Sequence, residues 1–336
     1  MRKIVASIPR FLKYLYSLVN RSKRARNILN LGVQPAQRKS QGLSIDYAGQ
    51  AASDIIKSML ANDAPCMIAR FGATELGALC CYLNIQRKSR FPLEKTISYL
   101  TGNTPEFWWS DSIKSRMSVY SGFFPTTPRA LEQFSRRMLE DSQQIDILGT
   151  WRTQESVMKD YIRQAKVMRL VELRPWEHAN PWSEVLEDKV VLVIHPFDSS
   201  IQSQYLRREK LFDDQRILPK FELKTLKAVQ SIAGSEVPFF TWFDALDWMC
   251  EQISNIQFDI AIIGAGAYGL PLAAFVKQMG KKSVHLGGVT QLFFGIKGKR
   301  WEEQNYLQTI SNEYWIRPLS SEVPENAQAV ERGCYW

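Results

Sequence analysis

The sequence predicts an α/β protein built on a doubly wound, mostly parallel sheet. Three observations predict this class. Short apolar runs recur along the chain, and each is followed by a helical pattern. The strongest run, Val190-Val191-Leu192-Val193-Ile194, has no polar face, as expected of a strand covered on both sides. In such sheets ligands lie at the carboxyl ends of the strands, so candidate chemistry is sought there.

In chain order, the first element is an extension. Residues 1–45 carry ten basic side chains (Arg2, Lys3, Arg10, Lys13, Arg21, Lys23, Arg24, Arg26, Arg38 and Lys39), and the first acid is Asp46. The whole chain of 336 residues has 43 basic and 34 acidic side chains and a net charge of +9. Without the extension, 33 basic residues face 34 acidic ones, so residues 46–336 form a nearly neutral body. That argues against nucleic acid as a partner, which would need a broad cationic face. Ile4, Ile8, Phe11, Leu12, Leu15, Leu18 and Val19 recur at helical spacing, and a basic cluster from Arg21 to Arg26 follows. Residues 4–26 therefore read as a basic amphipathic helix that either lies on an anionic membrane surface or packs on the body. A transit peptide is the third reading of this acid-free segment, and Pro9 allows the helix to begin there. Residues 32–42 read as a linker.

The body is expected to be a single α/β domain. Its strand-to-helix steps are Cys66 to Phe71 before Thr74 to Leu83, Ile145 to Thr150 before Glu155 to Met168, and Val190 to Pro196 before Ser200 to Phe212. Phe258 to Ile263 precedes Leu270 to Met279, and Ser283 to Leu286 precedes a glycine-rich turn. Five scattered cysteines without a Cys-x-x-Cys pair point to a reducing, cytoplasmic setting rather than a disulfide framework or zinc site. No apolar run is long enough to span a bilayer as a helix.

Three strand ends and one helix face carry candidate chemistry. Gly264-Ala265-Gly266-Ala267-Tyr268-Gly269 lies between an apolar strand and a helix, where glycines let backbone N–H groups approach a phosphate. A dinucleotide site would add an acid at the end of the next strand, about 20 residues on. Here that strand ends in Gly287-Gly288, and no acid occurs between Asp259 and Glu302, so no NAD is expected. Lys277, Lys281, Lys282, Lys297, Lys299 and Arg300 instead suggest a phosphorylated ligand. The second strand end is Arg70-Phe71-Gly72-Ala73-Thr74-Glu75, with Glu75 in the first turn of a helix and Arg70 on an otherwise apolar strand. The third, His195-Pro196-Phe197-Asp198, offers His195 for acid–base or phosphate contact. The fourth places Asp244 and Asp247 on one helix face, a spacing common among surface acids.

With these residues in view, the chain from about Ala64 to Trp336 resembles bacterial glycosyltransferases of the GT-D fold. The marks are Arg70-Phe71-Gly72-x-x-Glu75, Ile194-His195-Pro196-Phe197, Gln204-Tyr205-x-x-Arg208-x-x-Leu211-Phe212 with Leu218-Pro219, Gly264-Ala265-Gly266-x-x-Gly269, and Gly287-Gly288-x-x-Gln291-Leu292-x-Phe294-Gly295-Ile296-x-Gly298-x-Arg300-Trp301. The resemblance implies a Rossmann-like domain that transfers a sugar from a nucleotide-sugar donor, typically a UDP-sugar, onto a glycan, lipid-linked or protein acceptor, at the inner face of the membrane if the product is a surface polysaccharide. It implies that Glu75 is a general base or a ligand of Mn²⁺ or Mg²⁺, and that His195 lies near the donor phosphates or acceptor. Arg70, Gly72, Gly264, Gly266, Gly269, Gly287, Gly288, Lys299 and Arg300 would bind the donor. The family motif has Asp where this chain has Ala73, which removes one of two acids that would share a divalent ion. A non-catalytic sugar-nucleotide binder and an NAD(P)-dependent oxidoreductase are the competing expectations.

Overall fold

The structure, a computed structural model, describes residues 11, 12, 14, 15, 42–87, 92–100, 106–303 and 306–336. Most of the N-terminal extension lies outside the described residues. Phe11, Leu12, Tyr14 and Leu15 are helical, with Leu12 buried and Phe11 and Tyr14 exposed.

The described chain runs α1 (Gln50–Ala61), β1 (Cys66–Ala69), α2 (Ala73–Gln86), α3 (Pro92–Leu100), α4 (Asp111–Ser121), α5 (Pro128–Ser142), β2 (Ile147–Thr150) and β3 (Lys166–Arg169). It continues through β4 (Val190–His195), α6 (Asp198–Tyr205), β5 (Glu222–Lys227), α7 (Trp242–Ser254), β6 (Ile260–Ile263), α8 (Gly269–Gln278), β7 (Lys282–His285), α9 (Thr290–Phe293) and α10 (Lys299–Glu303). Local chemistry explains several boundaries. Thr127 accepts from Ala130 N and Pro128 opens α5, while Thr241 and Asp244 form a reciprocal capping box at α7. Asp244 is thereby a cap, and Asp247 is an exposed residue of the same helix.

The seven strands form one sheet, ordered β3-β2-β1-β7-β6-β4-β5, and every pair is parallel. Successive residues of each central strand enter opposite cores. In β4, Leu192 and Ile194 pack with α2, α5, α7 and α8, while Val191 and Val193 pack with α1, α6 and the C-terminal region. Each such apolar side chain contributes about 1.5–3 kcal/mol on burial, so the uninterrupted run in β4 is what a central strand requires. The predicted doubly wound α/β class is therefore what the chain adopts.

Two expectations differ. The helix expected over Glu155 to Met168 is a 3-10 turn, Thr153–Met158, followed by β3, whose four residues are too short to show a period. The helix expected over Ser200 to Phe212 covers only Asp198–Tyr205, with a 3-10 turn at Arg208–Lys210. Edge strand β5, Glu222-Leu223-Lys224-Thr225-Leu226-Lys227, was not anticipated; its charged, half-exposed residues suit an edge that must not recruit another strand. The body makes its first sheet contact where its first acid lies. Asp46 accepts from Val167 N at 2.7 Å and donates its own N–H to Val167 O at 2.7 Å, pinning the chain to β3.

Candidate active site

The strand order creates a crevice. The connection leaving β4 runs outward to β5, whereas that leaving β6 runs the opposite way to β7, so the chain diverges between two neighbouring strands. Gly264 N still donates to Ile194 O at 2.9 Å, and beyond this last bond an open cavity begins, about 630 Å³ including its mouth. His195, Pro196 and Phe197 enter it from β4, and Gly264, Ala265, Gly266 and Tyr268 from β6. Residues 229–232 line one side after β5; Gly288, Gln291, Tyr335 and Trp336 line another. The mostly apolar wall with a few polar groups suits a small-molecule ligand.

His195 is the best-defined polar group in this wall. Its Nδ1 accepts from Phe197 N at 3.0 Å, so the neutral ring carries its proton on Nε2, for which the described residues provide no hydrogen-bond partner. Burial pushes its pKa down to about 3. The ring is therefore neutral at ordinary pH and presents a hydrogen-bond donor. That narrows the acid–base role expected from the sequence: a ring that resists protonation cannot store a proton as imidazolium.

The second half of the site sits at the ends of β1 and β2. Glu75, in the first turn of α2, is buried and accepts from Ser121 Oγ at 2.7 Å; Ser121 itself lines the cavity. The carboxylate folds back over Gly72, where a Cβ would collide with it. Gly72 thus shapes the acid. The Arg70 guanidinium lies over Trp151, 4.9 Å from the ring centroid, and makes no hydrogen bond or ion pair to the described residues; its Nε is sealed from solvent without a partner. Burial lowers the Arg70 pKa, opposed first by the nearby Glu75 carboxylate, and the guanidinium remains a cation because arginine is not deprotonated in proteins. Its Nη1 lies beside Gly287, next to the cavity-lining Gly288.

Trp151 and Glu155 were not anticipated. Trp151 Nε1 donates to Phe71 O at 2.9 Å, and a second guanidinium, Arg152, stands 4.2 Å from its ring centroid. Glu155 is fully buried and accepts from Thr150 Oγ1 and from Trp151 N at 3.3 Å, leaving Oε1 unpaired. Burial raises its pKa, against the lowering effect of those hydrogen bonds and of Arg70. The rule that directs attention to strand ends also reaches these residues, since β2 ends at Thr150.

The remaining predicted residues divide. Gly264 meets His195 and Thr290 closely, and Gly266, at φ 53°, leaves open space beside the cavity. At Gly287, φ 65°, a Cβ would meet Arg70, and at Gly288 it would collide with the Tyr335 ring. Gly269 faces away from the cavity, under the ring of His285, so it is a packing glycine rather than a phosphate contact. Lys299 reaches Arg332 O and Glu303, while Arg300 pairs with Glu331 and Cys334 and lies over Tyr335, 4.8 Å from its ring centroid. Both hold the C-terminal segment behind the cavity wall instead of entering the cavity. Lys277 pairs with Asp146 at 2.7 Å and Lys282 with Leu60 O at 2.9 Å, at the amino edge of the sheet, because α8 carries the chain back there before β7. The start of α6 is also taken: Glu322 accepts from Ser199 N, Ser200 N and Ser200 Oγ.

The donor set does not suit a divalent ion. Position 73 offers only a methyl group, Glu75 already accepts from Ser121, and the nearby Glu155 uses one oxygen on Thr150 and Trp151 and keeps the other sealed. The charge facing both acids is Arg70, and among the described residues no three His, Cys, Asp or Glu side chains converge as metal ligands. No step is assigned to a metal.

No family model, curated protein or solved structure matches the chain.

Proposed function

We propose that the chain is a glycosyltransferase that moves a sugar from a nucleotide-sugar donor, a UDP-sugar, to a hydroxyl of a glycan, glycolipid or glycoprotein. The observation that carries this reading is Arg70, an uncommitted guanidinium beside a cavity at the carboxyl edge of a parallel sheet, with the Glu75 carboxylate close by. Such a pairing suits a reaction in which an anion leaves and a hydroxyl must lose its proton. The acceptor oxygen would bond to the anomeric carbon, the bond to the donor diphosphate would break with its electron pair on the nucleoside diphosphate, and the hydroxyl proton would pass to Glu75. His195 Nε2–H would donate to donor or acceptor oxygen in its neutral form.

A nicotinamide reading is weaker here because β7, the strand paired with β6, runs into Leu286-Gly287 with no acid for a ribose. Ala73 favours the non-catalytic binder as the second reading. Measurement of UDP release separates them. Glu75→Gln keeps the shape of the side chain and removes its charge, and it is expected to lower transfer about 10²- to 10⁴-fold with donor binding retained. Transfer near the wild-type rate would remove Glu75 from the mechanism, whereas donor binding without UDP release in the native chain would establish the binder.

The acid-free extension suits an anionic membrane surface as partner, the alternative being that it packs on the body; bound there, the enzyme would work at the inner face of the membrane, where lipid-linked acceptors occur. Among the described residues no helix is long and apolar enough to cross a membrane. Deleting residues 1–45 is expected to abolish sedimentation with anionic liposomes and to leave donor binding unchanged.

A further inference from the structure

We infer that Arg70 receives the diphosphate of the ligand directly, in place of a divalent ion, and that Trp151 is the residue that positions it. The identity of the anion rests on the nucleotide-sugar reading; the metal-free recognition does not.

Arginine has five N–H donors in one plane, and a carboxylate partner usually occupies two of them. Arg70 is held in another way. Its guanidinium lies over the Trp151 ring, 4.9 Å from the centroid, and no described residue forms an ion pair or hydrogen bond with it. A cation–π contact supplies attraction without a carboxylate or carbonyl partner, so the N–H groups of Arg70 are not taken up by a protein oxygen. Nε is sealed from solvent without a partner, which is unfavourable, and the half-buried guanidinium keeps its other N–H groups accessible to an incoming oxyanion. Burial is the larger influence on Arg70, and the nearby carboxylates of Glu75 and Glu155 oppose it only in part before the ligand arrives.

The ring that holds Arg70 is itself held. Trp151 Nε1 donates to Phe71 O at 2.9 Å, next in sequence to Arg70, and its backbone N–H donates to Glu155. Gly287 lies along the end of the Arg70 side chain, where a Cβ would be 3.4 Å from Cδ and 3.5 Å from Nη1. The next residue, Gly288, lines the cavity. A diphosphate entering along Gly288 would thus meet a fixed planar cation. At the place where the resemblance implies a second acid the chain has Ala73, which removes a ligand for a metal and a competing partner for Arg70.

The test measures binding of UDP and, separately, of inorganic pyrophosphate to the full chain by calorimetry, once in EDTA and once with Mn²⁺. Under the inference UDP binds in EDTA within about threefold of its affinity with Mn²⁺, Arg70→Lys loses about ten- to a hundredfold, and Trp151→Leu loses a similar factor that Trp151→Phe largely restores. In turnover, Trp151→Leu is expected to raise KM for the donor with kcat little changed, a split that general loosening of the fold would not produce. Loss of UDP binding in EDTA with recovery in Mn²⁺ overturns the inference and leaves the transferase reading standing. Wild-type affinity in Arg70→Lys also overturns it, as does failure of both probes to bind. Metal-free binding of pyrophosphate through Arg70 without binding of UDP would keep the inference and remove the nucleotide-sugar reading. The EDTA comparison uses the unaltered chain, so it decides the metal question even if a variant fails to fold.

Discussion

A Cβ at position 269 would run into the imidazole of His285, and one at position 72 into the carboxylate of Glu75. Glycine is needed at both sites for close approach, which a glycine-rich motif cannot distinguish from backbone contact with a phosphate. Gly269→Ala gains slightly in helix propensity but is expected to destabilise the protein by about 1–3 kcal/mol through overpacking, measured by denaturant unfolding. Ligand affinity in the surviving folded fraction should change little. At the same scale, Arg70, Glu75 and His195 were legible because charged or titratable residues are conspicuous at the ends of apolar strands. Trp151 and Glu155 were not, because the segment after β2 reads as a helix, and a helix would have turned those side chains toward other neighbours.

Among the elements, α6 shows how a helix start can be removed from ligand binding. Its first N–H groups and the Ser200 hydroxyl are taken by Glu322, which lies 122 residues further along the chain from Ser200 and is buried. Leu319 N returns a bond to Ser200 Oγ at 3.0 Å, so the same contact anchors the segment that leads to Tyr335 and Trp336. Glu322→Ala leaves buried donors unpaired. It is expected to destabilise by about 2–3 kcal/mol and to make residues 319–336 more sensitive to limited proteolysis. The sequence-based expectation that chemistry follows His195-Pro196-Phe197-Asp198 holds for the strand end, since His195 lines the cavity, but the helix behind it has a distant partner that no local pattern announces. Strands β3 and β5 escaped notice for a related reason: as edge strands they are interrupted by charged residues, so they lack the apolar run that marks their central neighbours.

For the whole molecule, buried titratable groups set the response to pH. His195 and His285 are both held at about 3 by burial, whereas an unfolded histidine titrates near 6.5. Between those values the unfolded chain binds more protons, so each histidine lowers stability by up to about 1.4 kcal/mol per pH unit as the pH falls. Asp141, pushed up to about 6 by burial against the opposing effect of Arg137, works the other way, and Glu155, also raised, does the same: their folded forms take up protons first. Comparing the fall in Tm on acidification in the wild type and His195→Gln isolates one contribution. The variant is expected to lose less stability below about pH 6.5 than the wild type, while an identical profile would mean that the His195 ring titrates freely in the fold. The periodicity of the sequence by itself determined that the body is a doubly wound α/β domain and that its chemistry belongs at strand ends, because apolar spacing reports which faces are covered. Only the tertiary structure decided which strand ends meet. Placing β4 beside β6 brings His195 to Gly264, and placing β1 beside β2 brings Arg70 to Trp151, while Arg300 and Lys299 are drawn off to the C-terminal segment. Strand order depends on contacts between residues far apart in the chain, and a local pattern carries no information about them.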